Sequence, residues 1–125
     1  MRLILLLVLL LAGCSGAAPA RVGERGGGIV SLNPCADQLL LALVPPQRIA
    51  AISHYSQDPR ATSLPLDVAR QFRATAGTAE EVIALAPDLV IASSFTPPAT
   101  RAAFERAGLR TLYLDSPTTI AASRA

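Results

Sequence analysis

The chain has no tryptophan and no lysine, a single histidine, His54, and two cysteines, Cys14 and Cys35. Each scarcity closes off a class of function. Aromatic residues make up only 4% of the 125 positions, so no row of rings is present on which nucleobases could stack. The net charge of +2 comes from arginines scattered along the chain, and no basic groove for nucleic acid is expected. Two cysteines without a C-x-x-C pair offer neither redox exchange nor structural zinc. Gly26, Gly27 and Gly28 precede the first apolar run of the domain instead of following it, which is the wrong place for a phosphate cradle, and no G-x-S-x-G elbow occurs.

What remains is 51% hydrophobic and 16% charged, enough apolar material for one core and too little chain for two. The N-terminus reads as an address. Arg2 and the apolar run 3–11 have the charged start and short core of an export signal, well below the roughly 20 residues that span a bilayer. The sequence Leu-Ala-Gly-Cys at 11–14 resembles a lipobox, which implies cleavage after residue 13 and acylation of Cys14; soluble export by an ordinary signal peptidase is the alternative. Residues 14–28, rich in Gly, Ala and Pro, read as a flexible tether. With Cys14 lipidated, Cys35 has no partner and is expected to be a small buried apolar residue; a Cys14 to Cys35 disulfide requires the signal to be misread.

From residue 29 onward short apolar runs alternate with helical signals. Residues 29–32 form a first strand, and Asn33-Pro34 is an N-cap followed by proline at the first helical position. That helix runs through Asp37, Leu39, Leu40 and Leu43 and stops at Pro45-Pro46. Residues 48–52 are a second strand, 53–63 a polar loop, and 66–69 a short helical turn, with Gly77 as a break after it. Thr78 followed by Glu81 forms a capping box, Pro87 ends the helix it starts, and 89–92 is a buried strand. Thr96 caps and Pro97 opens a further helix whose Thr100, Ala103, Phe104 and Ala107 share a face, with Gly108 as its left-handed stop and 111–114 as the last strand. This alternation predicts an α/β fold, a Rossmann-like parallel sheet of about four strands with helices on both faces.

In such sheets ligands bind beyond the carboxyl ends of the strands. The exits here are Ser31 and Asn33, then Ser53, His54, Tyr55 and Ser56, then Ser93, Ser94, Phe95 and Thr96, then Asp115, Ser116 and Thr118. All are polar and two carry an aromatic, whereas Arg48, Asp88 and Arg110 mark the opposite ends. Ser53 and His54 are a poor nucleophile and base, because sequence neighbours point apart in extended chain. His54 remains open as a surface residue, a ligand contact, or a metal ligand with Asp58 or Asp115.

The segments SLNPCADQLLLAL, RIAAISHYSQDP, EEVIALAPDLVIA and AGLRTLYLD together resemble the N-terminal lobe of class III periplasmic binding proteins, which carry cobalamin and ferric siderophores to ABC importers. The resemblance covers residues 29–119, with E-x-x-x-A-L-x-P-D-L-V its most specific part. It implies a substrate-binding component, or its N-terminal half, and not an enzyme or a cofactor-dependent protein. The implied partners are a membrane permease and a chelate whose cargo contains iron or cobalt. It places ligand contacts at Asn33, Ser53, His54, Tyr55, Ser93, Ser94, Phe95 and Asp115. It also places permease docking at Glu80, seven residues before Pro87, where a plain helix-dipole role is the competing reading. The tryptophans that cobalamin members set against the corrin have no counterpart around Thr75 and Ser93, so haem or a ferric siderophore stands beside cobalamin, with Tyr55 or His54 as axial candidates for haem. Residues 120–125 read as the start of an interlobe helix, with the second lobe truncated or supplied elsewhere, which implies feeble binding by one wall. A non-binding remnant or scaffold, and a small Rossmann-like enzyme, are the other two readings.

The expected location is the periplasm or cell envelope, anchored by lipid. Globomycin should leave an unprocessed precursor, and Cys14→Ala should release the protein from the membrane fraction. Normal processing and unchanged fractionation in both experiments would contradict lipidation while leaving export intact.

Overall fold

The computed structural model describes residues 27–124. The signal, Cys14 and most of the tether therefore lie outside the described residues. Nine regular elements follow in order: β1 (Ile29–Ser31), α1 (Pro34–Leu43), β2 (Ile49–Ser53), α2 (Leu66–Ala69), β3 (Ala74–Thr75), α3 (Ala79–Ala84), β4 (Leu89–Ser93), α4 (Pro98–Arg106) and β5 (Thr111–Leu114). Single 3-10 turns at Pro46–Arg48, His54–Gln57 and Ala122–Arg124 complete the chain. All strand pairs are parallel, and the sheet order is β3-β2-β1-β4-β5.

The expected α/β fold is thus present with five strands instead of about four. The extra one, β3, is two residues long, lies at the sheet edge and pairs Ala74 and Thr75 with Ile52 and Ser53. It sits in the polar run Arg-Ala-Thr-Ala and carries no apolar signature from which a strand can be read.

One apolar cluster lies on each side of the sheet. Val82 of α3, Leu85 at its C-cap and Phe104 of α4 pack with Val30, Ala50, Val90 and Ala92. Ala36 and Leu40 of α1 and Ala69 and Phe72 at α2 pack with Ile49, Ile52 and Ile91. The strands are buried on both faces because crossover helices cover both, which is why they read as continuous apolar runs. On α1 the buried side is Ala36, Asp37 and Leu40, while Leu39 and Leu43 face solvent. Cys35 is exposed, not buried, because the first turn of α1 turns it away from the sheet.

Helix starts agree with the sequence in part. Asn33 caps α1, its side-chain oxygen accepting from the N–H groups of Cys35 and Ala36. Thr78 caps α3 by accepting from the Glu81 N–H at 3.3 Å, but the reciprocal half of the box is not formed. Gly77, at φ +80°, turns the chain so that the Glu81 carboxylate instead takes the Thr75 hydroxyl at 2.7 Å and the Ala76 N–H at 2.8 Å. Thr96 is not the cap of α4. Pro97 occupies that position without a side-chain bond and Pro98 opens the helix, because two consecutive prolines move the start one residue on. Of the face expected on α4, Phe104 is fully buried and Ala107 is exposed at the C-cap.

Residues 27 and 28 are already tied to the lobe. The Gly27 N–H donates to the Ala86 carbonyl at 2.8 Å, and the Gly28 N–H donates to Asp88 Oδ2 at 2.7 Å. Gly28 lies at φ +81°, and a Cβ there would meet the Arg48 carbonyl oxygen at 2.9 Å, so only glycine fits where the chain enters the sheet.

A candidate ligand-binding rim

The strand order places the exits side by side in the row Thr75, Ser53 to Tyr55, Ser31 to Asn33, Ser93 to Phe95, and Asp115. After β1 the chain turns to α1 on one face, and after β4 to α4 on the other, as the membership of the two apolar clusters requires. The gap between β1 and β4 is therefore the topological switch point, where the departing loops diverge and leave a crevice. The N-termini of the helices open on the same rim, since each helix runs antiparallel to the strand before it.

At the β2 exit, Ser53 is buried and its hydroxyl accepts from the Tyr55 N–H at 3.3 Å. This folds the next four residues into a 3-10 turn that holds His54 and Tyr55 out from the rim, Tyr55 being 51% exposed. Their rings lie 4.0 Å apart, tilted by 36°. His54 Nδ1 is 3.2 Å from the Thr75 carbonyl oxygen. A carbonyl only accepts, so Nδ1 carries the proton in this contact, and Nε2 lies outside it.

At the β4 exit, Ser93 accepts from the Phe95 N–H at 3.1 Å, and Phe95 stands 78% exposed. Ser94 donates to Asp115 Oδ1 at 3.2 Å, tying the β4 and β5 exits together, and the Ser116 N–H donates to the same oxygen at 2.8 Å. At the β1 exit, the Asn33 side-chain oxygen is committed to capping α1. The sequence-derived residues therefore converge on one rim in two groups, an aromatic pair over β2 and a phenylalanine over β4. These strands are two positions apart, about 10 Å at backbone level. Glu80 is exposed in the first turn of α3, at the rim end of the lobe. Among the described residues no three His, Cys, Asp or Glu side chains gather as a metal cluster, so His54 has neither Asp58 nor Asp115 as a co-ligand in such a group.

The sequence reading passes over Asp37. This side chain is fully buried, and its Oδ2 accepts from the Ser53 N–H at 3.0 Å and from the Ser56 hydroxyl at 2.6 Å. Its Oδ1 has no hydrogen-bond partner. Burial pushes the Asp37 carboxyl above its ordinary value, and the Ser31 and Ser56 hydroxyls and the Ser53 N–H oppose the rise. The Ser31 hydroxyl is itself committed to the Asn33 carbonyl at 3.2 Å. The available signal was its spacing, since Asp37 stands three residues before Leu40 on the face that meets the sheet. Glu81 behaves in the opposite way: the Thr75 hydroxyl and the Ala76 N–H hold its carboxyl below the ordinary value.

With this geometry in hand, the chain can be placed as an α/β lobe with a polar rim at a topological switch point. Residues 29–124 match the family model described as periplasmic binding protein, and the chain belongs to that family. No curated protein matches it. Among solved structures it is similar to the periplasmic haem-binding protein RhuT from Roseiflexus sp. RS-1 in apo form, with 23% identity and a TM-score of 0.58 over 78% of this chain and 36% of that one. A periplasmic haem-binding protein from Pseudomonas aeruginosa is 26% identical with a TM-score of 0.55, over 76% of this chain and 33% of that one. The periplasmic haem-binding protein HutB of Vibrio cholerae is 20% identical with a TM-score of 0.56, over 78% and 36%. The chain thus spans about a third of the length of the solved structures it matches.

The raised Asp37 value has a consequence for stability. The folded chain holds this proton more tightly than the unfolded chain, so the contribution is complete below the ordinary value of 3.8 and is lost as pH rises through the higher folded value. Glu81, held low by Thr75, and Asp58, held low by Arg60, work the other way and lose their contributions as pH falls. Comparison with Asp37→Asn isolates the first effect. The melting temperature of the variant relative to the parent should climb as pH rises above 3.8. A difference that stays constant with pH would show that Asp37 does not ionise in that range.

Proposed function

We propose that the chain is the substrate-binding component, or the N-terminal half of one, of an ABC importer, and that its rim takes a metal chelate with haem as the first candidate. The observation that carries the reading is the adjacent, tilted His54 and Tyr55 ring pair at the β2 exit, with His54 Nε2 outside the Nδ1 contact to Thr75 and with Phe95 standing across the β1 exit. Haem iron takes a histidine or tyrosine as axial ligand, and exposed aromatic faces suit a flat macrocycle. One or two protein ligands suit a metal already held by a chelator. The similarity to periplasmic haem-binding proteins favours haem over a siderophore or a corrinoid. Ser94 and Asp115 offer polar contacts beside Phe95, while Ser53 and Ser93 act by folding the turns that carry the aromatics. Export to the periplasm or cell envelope and a lipid at Cys14 complete the proposal.

Titration with haemin, followed by absorbance, tests the ligand. Loss of the Soret change in both His54→Ala and Tyr55→Phe relative to the parent supports the rim as the site. Unchanged spectra in both variants would remove the aromatic pair from it.

Glu80 is proposed to meet a basic residue of the permease. It is exposed, no hydrogen bond or ion pair engages it among the described residues, and it projects from the rim end where a partner closing over the ligand would approach. Glu80→Gln should leave the melting temperature nearly unchanged and weaken association with the permease, more so at low salt. A lower melting temperature with undiminished association would make Glu80 a helix-dipole residue instead.

A further inference from the structure

Ligand contact by the rim makes no use of its buried acid. The two groups that Asp37 Oδ2 accepts from, the Ser53 N–H at 3.0 Å and the Ser56 hydroxyl at 2.6 Å, belong to the residues immediately before and after His54 and Tyr55. The shorter bond has the length of a charge-assisted hydroxyl-to-carboxylate contact. A single oxygen on α1 therefore grips both ends of the turn that carries the aromatic pair. The turn's other ties lead elsewhere: His54 Nδ1 to the Thr75 carbonyl on β3, and Gln57 Nε2 to the Ala69 and Phe72 carbonyls at 3.0 and 2.9 Å, at the end of α2. Of the turn's side-chain hydrogen bonds among the described residues, those to Asp37 lead to α1, and through it to the β1 exit at the switch point.

We propose that Asp37 is a positioning residue for the ligand: from α1 it fixes the direction in which His54 and Tyr55 are presented to the metal of a bound chelate. The inference rests on the haem reading given above. The donor count explains why a carboxylate stands there. Oδ2 takes two donors and Oδ1 takes none, so the site uses one carboxyl oxygen as a clamp. An asparagine could keep an oxygen over Ser53 and Ser56, but it would accept both bonds with a neutral atom. The clamp would weaken while α1 and the core around Leu40 stayed in place. The groups acting on the carboxylate are Ser31 on β1, Ser53 on β2 and Ser56 in the turn, and none of them is charged.

Asp37→Asn and Ser56→Ala in the full chain test this with two readouts. One is haemin affinity; the other is the ring proton resonance of His54, which needs no assignment because the chain has one histidine. Both variants should melt cooperatively, shift the His54 ring resonance and bind haemin about fivefold more weakly, the net worth of roughly one hydrogen bond. The proposal is overturned if the His54 resonance is unmoved in both, or if the parent takes haemin and both variants bind it equally well. A parent that takes no haemin overturns the haem reading alone, and the His54 resonance then decides the positioning role. Should Asp37→Asn fail to fold, Ser56→Ala decides, because it removes one donor and leaves the carboxylate.

Discussion

Taking the Asp37 carboxylate out of water costs free energy, and its hydrogen bonds from the Ser53 N–H and the Ser56 hydroxyl offset that cost. That exchange fixes where the chain goes after β2. Once Ser53 and Ser56 are held against α1, the two residues between them must project, and they are the histidine and tyrosine of the rim. Ser53 then turns its hydroxyl to the Tyr55 N–H, and Thr75 takes the His54 ring. A polar network of this kind is costly when half satisfied and rigid when complete. Here a single oxygen of that carboxyl, Oδ1, remains unpartnered.

The same strand exits connect the aromatic end of the lobe to α3. Thr75 offers its carbonyl to His54 and its hydroxyl to Glu81, and Glu81 is the neighbour of Glu80. A short run of hydrogen bonds thus joins the aromatic pair to the first turn of the helix that carries the proposed docking carboxylate. The far ends of the strands are built differently. There Arg48 and Asp88 stand 3.9 Å apart and mostly exposed, an ion pair of the kind that contributes little to stability, and Asp88 is better used in holding the Gly28 N–H. The lobe is therefore polarised, with its organised hydrogen bonding concentrated at the rim.

Much of this was legible from sequence, and the reasons differ by element. α1 could be placed because Asn33 and Pro34 are independent start signals that agree, and β4 because a run of apolar residues between Pro87 and Ser93 is too short for a helix. The rim followed from topology, since parallel strands deliver all their exits to one end. β3 was illegible because an edge strand of two residues takes its identity from pairing with β2, not from its own side chains. The second half of the capping box was lost because a glycine-turned backbone offered Glu81 nearer donors than the Thr78 N–H. Asp37 was overlooked because sequence reading assigns charge to the surface, and a buried carboxylate becomes visible only when donors from another element, here Ser53 and Ser56, come to meet it.

The central claim is that ligand contact belongs to the strand exits and not to the opposite end of the sheet. Amide and side-chain resonances of the isotope-labelled chain, followed while gallium protoporphyrin IX is added as a diamagnetic stand-in for haem, test it most directly. The account predicts shifts confined to Asn33, the turn from Ser53 to Gln57, Thr75, Ser93 to Thr96 and Asp115, with Arg48, Asp88 and Arg110 unmoved. Shifts centred on those last three residues, or spread evenly over both ends, would contradict it.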